Sequence, residues 1–125
     1  MNISEYQAWL EAYDRQREFH RCSPGHTFIH LVEELGEVAR LVLYEEGYRE
    51  PAEKPELQEL LAEELADAAT FLFKLAYQYD IDLEAALMRN QAKAESRFGI
   101  EQGQADTARY LAHQERNLRK MRGEG

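Results

Sequence analysis

The chain has a single cysteine, Cys22, among 125 residues, so it can form no intrachain disulfide and build no cluster of thiolate metal ligands. Only three prolines occur, and no Gly-, Ser- or Pro-rich stretch interrupts the chain. A linker composition is therefore missing, and one domain of ordinary size is the expectation. Positive charge is also scarce: 15 Lys and Arg stand against 24 Asp and Glu, a net charge of −9 with a pI of about 4.9. This argues against binding duplex nucleic acid, whose affinity rests on neutralising phosphates with many cationic side chains. The longest uncharged apolar run, around Thr27 to Val32, falls far short of the ~20 residues that span a bilayer. The opening Met1-Asn2-Ile3-Ser4-Glu5 lacks the basic segment of a secretion signal. No membrane partner and a cytoplasmic location are expected.

What is present reads as helix. Hydrophobic residues make up 44% and charged residues 31%, which excludes a fully disordered chain and suits helices with solvated outer faces. Ser4 and Gln7 have the spacing of a capping box, and Tyr6, Trp9, Leu10, Tyr13 and Arg17 then recur at three and four residues, so a first helix is expected to fade near His20. Ser23-Pro24 restarts the chain as N-cap and first helical position, and a second helix runs through Phe28, Leu31, Leu35, Val38 and Val42 to about Gly47. Residues 47 to 55 read as a connection. A third helix carries Leu57, Leu61, Ala68, Phe71 and Leu75 to about Tyr79, and Asp80-Ile81-Asp82 supplies the cap of a fourth, which extends towards Phe98-Gly99. Short links between long amphipathic segments place neighbours antiparallel, so the expected fold is an all-α, four-helix bundle.

Residues 104–125 differ in being rich in Arg, Lys, Gln and Glu, with only Tyr110, Leu111, Leu118 and Met121 to bury. Asp106 is placed to cap a short helix there, but the apolar stripe is too thin to hold one firmly without a partner. The expected organisation is a domain over 1–103 and a C-terminal arm over 104–125, which either packs in an oligomer or frays as a solvated tail.

The chemistry is concentrated in two acidic clusters, Glu33-Glu34-Leu35-Gly36-Glu37 and Glu64-Leu65-Ala66-Asp67. At about 100° per residue, Glu34 and Glu64 each lie about 60° from the centre of their helix's apolar stripe, and Asp67 falls beside Leu60 and Phe71. Glu34 with Glu37 and Glu64 with Asp67 are both i,i+3 pairs, so two antiparallel helices would turn four carboxylates towards each other. Burying one unpartnered carboxylate costs several kcal/mol. Oxygen-only ligands suit Mg²⁺, with Mn²⁺ as the alternative. A di-iron bundle needs Glu-x-x-His on two helices, whereas Arg40 and Asp67 stand three residues after Glu37 and Glu64. The plainer reading, solvated acidic helix faces, accounts for one such run better than for two. On the fourth helix, Leu83, Ala86 and Leu87 define a stripe that continues as Asn90, Lys93 and Arg97 within about 60°. An amide, an ammonium and a guanidinium on that line suit phosphate oxygens, although ordinary salt bridges would use the same two cations.

Taken together, Glu33-Glu34-x-x-Glu37, Glu64-x-x-Asp67 and Asn90-x-x-Lys93-x-x-x-Arg97-Phe98 resemble the motifs of the MazG-type, all-α nucleoside triphosphate pyrophosphohydrolases, over a span from about Ser4 to Phe98. The resemblance implies Mg²⁺ ligation by Glu34, Glu37, Glu64 and Asp67, a catalytic or further metal-contacting role for Glu33, and phosphate contacts from Asn90 and Lys93 with help from Arg97. It implies hydrolysis of a (deoxy)nucleoside triphosphate to the monophosphate and pyrophosphate, a nucleotide-pool house-cleaning role, and a homodimer or homotetramer. His30 lies beside Glu34 and Glu37 on the helix face and is the histidine best placed to line the site; Trp9, Phe19, Phe28, His20 and His26 are the other residues able to face a base, and the base itself stays open. Phosphoribosyl-ATP pyrophosphohydrolase shares the fold and acidic motifs. Two non-hydrolytic alternatives are an acidic helical interaction module that binds a basic partner and a degenerate family member that binds nucleotide without cleaving it.

Overall fold

The computed structural model describes residues 1–47 and 54–124, and among them there are helices and no strands. The chain is all-α. Its elements are α1 (Ile3–Gln16), a 3₁₀ turn (Phe19–Arg21), α2 (Pro24–Glu45), α3 (Lys54–Gln78), α4 (Leu83–Arg97) and α5 (Ile100–Met121). Residues 48–53 of the connection expected between the second and third helices lie outside the described residues. No described helix is long and apolar enough to cross a membrane. Two compact units are present, Met1–Ala86 and Leu87–Gly125, and the division falls inside α4, just after its first turn.

Local chemistry explains most helix ends in the first unit. α1 begins earlier than Ser4 would have it. Asn2 is the N-cap: its side chain accepts from the Glu5 backbone N–H at 2.8 Å, and the Glu5 carboxylate accepts from the Asn2 N–H at 3.3 Å. That reciprocal pair is the capping box, which frees Ser4 to bond Glu84 and frees Gln7 to serve α4: Gln7 accepts from the Leu83 N–H at 3.1 Å and donates to the Ile81 carbonyl at 2.6 Å. α2 starts as its sequence predicts, with Pro24 at the first position and the Ser23 hydroxyl accepting from the His26 N–H at 3.2 Å. It stops at Gly47, whose φ of +82° is a left-handed conformation that glycine adopts without strain. α3 ends with Asp80 at φ +55°, while the Ile81 N–H reaches back to the Ala76 carbonyl at 2.9 Å. Asp82 then caps α4 by accepting from the Ala85 N–H at 3.1 Å.

α2 and α3 are the most extensively packed pair and run antiparallel, with Leu41 near Leu57 at one end and His30 against Phe71 towards the other. α1 packs on α3 in the parallel sense: Tyr6 meets Thr70 and Phe73, and Asp14 meets Lys74 and Tyr77. Among the described residues the buried apolar side chains are few, namely Leu10, Leu41, Leu57, Ala68, Ala76 and Tyr77. The stripe expected on α1 is rotated from the periodicity. Trp9 is 53% and Tyr13 36% exposed, whereas Asp14 is wholly buried. Its carboxylate accepts from the Tyr77 hydroxyl at 2.6 Å and from Lys74 Nζ at 3.0 Å, so a charge the local pattern assigns to solvent is held inside by partners some sixty residues away.

In the second unit, α5 begins at Ile100 with Gly99 as N-cap, and so runs ahead of the start expected at Asp106. Asp106 instead lies within the helix, paired with Arg109 and Gln102.

Candidate functional site

Three carboxylates meet where α2 and α3 face each other. Oxygens of Glu34, Glu64 and Asp67 all lie within 4.8 Å of one another. Glu34 and Glu64 are partly buried and Asp67 is exposed, so the cluster opens to solvent on the α3 side. The antiparallel pairing produces this: one turn of α2 at Glu34 is set against the Glu64–Asp67 turn of α3.

The electrostatics are those of a crowded anionic site. The Glu34 carboxyl is pushed above the usual carboxylate range, first by burial, then by the hydrogen bond it shares with Glu64, and then by the charges of Asp67, Glu64 and Glu37. Like charges this close favour a retained proton or a bound cation. Among the described residues, no Lys, Arg or His forms an ion pair with Glu34, Glu64 or Asp67. A donor set of carboxylate oxygens alone fits a hard divalent cation such as Mg²⁺ or Mn²⁺.

The other expected site residues are distributed as follows. Glu37 lies outside the three-carboxylate group; its charge still reaches Glu34, but its carboxylate accepts from Arg40 Nε at 3.1 Å on its own helix. Glu33 points to His30, with Oε1 2.9 Å from Nδ1, and both side chains are well exposed. His30 is the middle ring of a column: its centroid is 4.7 Å from His26 and 5.4 Å from Phe71, with the planes within 20° of parallel. Asn90, Lys93 and Arg97 stand exposed on α4 in the second unit. Two contacts were not foreseen. Phe71, expected beside Asp67, also stacks on His30. Arg40 holds Glu37, which the i,i+3 spacing alone would have allowed.

No family model matches the chain. It is 31% identical to the uncharacterized protein YvdC of Bacillus subtilis (strain 168) over 103 residues, which cover 78% of this chain and 97% of that protein.

Proposed function

The chain belongs to the same family as YvdC of Bacillus subtilis, and we propose that it is a MazG-type pyrophosphohydrolase. In this reading it is a Mg²⁺-dependent hydrolase that converts a (deoxy)nucleoside triphosphate to the monophosphate and pyrophosphate, and it acts in the cytoplasm as a homodimer or homotetramer of four-helix units. The observation that carries the reading is the cluster of Glu34, Glu64 and Asp67 oxygens within 4.8 Å, without a cationic partner among the described residues. A surface acidic face has no reason to converge from two helices, and an acidic docking face would spread its charges over a larger area.

Glu34, Glu64 and Asp67 would hold the cation, and Glu37 would join them by leaving Arg40, an exposed pair of the kind worth only ~0.2–1 kcal/mol. The chemistry the cation supplies when bound is neutralisation of the triphosphate and acidification of water. Glu33 would accept the proton of the attacking water, with His30 at 2.9 Å fixing its carboxylate. The His26–His30–Phe71 column presents flat faces beside the acidic cluster and suits the planar part of a nucleotide. Asn90, Lys93 and Arg97 would donate to phosphate oxygens.

The test is release of pyrophosphate, as opposed to phosphate, from a panel of ribo- and deoxyribonucleoside triphosphates with Mg²⁺, with Mn²⁺ and with chelator. Pyrophosphate release that needs the metal is the expected result, and the panel ranks the bases at the same time. Silence across the panel, with phosphoribosyl-ATP included, would remove the hydrolase reading.

A further inference from the structure

Lys74 is a cation drawn into the packing of α1 on α3. Its side chain is only 18% exposed, and its Nζ donates to Asp14 Oδ1 at 3.0 Å. Aromatic rings flank the ammonium, with Nζ 5.5 Å from the Phe19 centroid and 5.7 Å from that of Phe71, both within reach of a cation–π attraction. An ammonium has three N–H groups and no acceptor. One of the three is used here, and the others have no hydrogen-bond partner among the described residues. Both Asp14 oxygens are engaged, Oδ1 by Lys74 and Oδ2 by Tyr77, so this pair offers a ligand donors and no acceptor.

The ammonium also stands in line with the acidic cluster. At about 100° per residue, Glu64, Asp67, Phe71 and Lys74 fall within about 80° on α3, and Glu34, His30 and His26 within about 80° on α2. Because these helices are antiparallel, both rows leave the carboxylates in the same direction. They pass the His26–His30–Phe71 rings, and the α3 row continues to Lys74. The rise from Asp67 to Lys74 is about 10 Å, seven residues at ~1.5 Å each. A nucleotide with its phosphates at the cation and its base along the rings would therefore bring the outer edge of the base to the ammonium. That edge, opposite the glycosidic bond, carries a keto oxygen in uracil, thymine, guanine and hypoxanthine, and an amino group in cytosine and adenine.

On the nucleotide reading above, on which this rests, we propose that Lys74 is a specificity-determining residue that selects keto bases over amino bases. A keto oxygen accepts from the ammonium. An amino group in the same place sets donor against donor and leaves a largely buried charge short of a partner. Sites built on such a hydrogen bond reject the mismatched analogue far more strongly than apolar pockets do.

The test uses nucleotides that differ only at that group, dUTP against dCTP and ITP against ATP. It compares kcat/KM for pyrophosphate release with Mg²⁺, and Kd by titration calorimetry with Ca²⁺. The wild type should favour the keto member of each pair by about tenfold or more. Lys74→Gln made together with Asp14→Asn removes both charges and installs an amide, donor and acceptor at once, so the ratio should fall to near one in both pairs. Lys74→Arg still neutralises Asp14 but carries its donors on a longer, planar group, and should lower the ratio as well; it decides if the double variant loses its helicity by circular dichroism. A lysine present only to neutralise Asp14 would alter stability and leave the ratio untouched. A ratio that survives these substitutions therefore overturns the proposal, and so does a wild type indifferent within each pair. Pyrophosphate release without discrimination would do this while leaving the hydrolase reading in place. Discrimination in binding that Lys74 controls, without pyrophosphate release, would remove the hydrolase reading and leave Lys74 as the selector of the base. Failure to bind any of the four nucleotides would overturn both.

Discussion

At the scale of single residues, two carboxylates in this chain are handled in opposite ways. Asp14 is wholly buried and fully partnered, by Lys74 at 3.0 Å and by Tyr77 at 2.6 Å. Burial, followed by the hydrogen bond to Asp14, holds the Tyr77 hydroxyl far above its ordinary pKa, so tyrosine stays a donor at any physiological pH. Removing one member of such a set leaves the other charge buried without compensation. Asp14→Ala should therefore destabilise the first unit by about 3–5 kcal/mol, read as a lower midpoint in urea unfolding, while Asp14→Asn, which still accepts from Tyr77, should cost less. A midpoint unchanged by Asp14→Ala would mean the triad contributes nothing to the fold. Glu64 shows the other case, because it is crowded by acids and paired with no base among the described residues. Glu64→Gln should abolish pyrophosphate release and leave the metal-free fold as stable as before or more so, since a like-charge repulsion disappears. Full turnover by that variant would sink the ligand assignment.

At the scale of helices, ends are decided by side chains within a few residues, and that is why some were legible and others were not. Ser23-Pro24 could be read directly, since its hydroxyl and its imino nitrogen both act on the turn they open. Ser23→Ala should cost about 1 kcal/mol, the usual worth of such a cap, and calorimetry would show it; no loss would mean the fixed φ of Pro24 suffices. The start of α1 had two eligible boxes, Asn2–Glu5 and Ser4–Gln7, and the choice fell to Asn2 because Ser4 and Gln7 are engaged by Glu84, Ile81 and Leu83, partners no local window contains. The start of α5 carried no side-chain signal at all, as Gly99 caps it without one. Convergence of Glu34 with Glu64 and Asp67 was legible because angular position on two antiparallel helices is a periodic property. The diversion of Glu37 to Arg40 was not, because rotamer choice on an exposed turn is a contest between near-equal partners. Asp14 was missed for a related reason: its burial depends on Lys74 and Tyr77, and periodicity along α1 knows nothing of α3.

At the scale of the whole molecule, the acidic cluster couples stability to pH and to divalent metal with a definite sign. The folded state raises the Glu34 pKa above its unfolded value, through burial and the neighbouring carboxylates. As pH climbs through the carboxylate range, the unfolded chain therefore loses this proton before the folded one does, and the folded state binds more protons in that window. Stability must fall there as pH rises. Metal reverses the trend, because a cation competes with the proton for the same oxygens and binds better as the pH rises. With chelator, thermal melts should show a Tm that drops between pH 5 and pH 8, a drop that Glu34→Gln should flatten. With Mg²⁺ at a hundredfold excess over its Kd, the folded state gains about 2.7 kcal/mol, which for a domain of this size is a rise of roughly 10 °C at pH 8 and a smaller one at pH 5. Ca²⁺ should give a rise too, since oxygen ligands alone exclude neither ion, whereas Na⁺ at matched ionic strength should not. Equal Tm values with chelator and with Mg²⁺ at pH 8 would mean that the three carboxylates converge without holding an ion, and that Glu34 relieves its crowding with a proton alone.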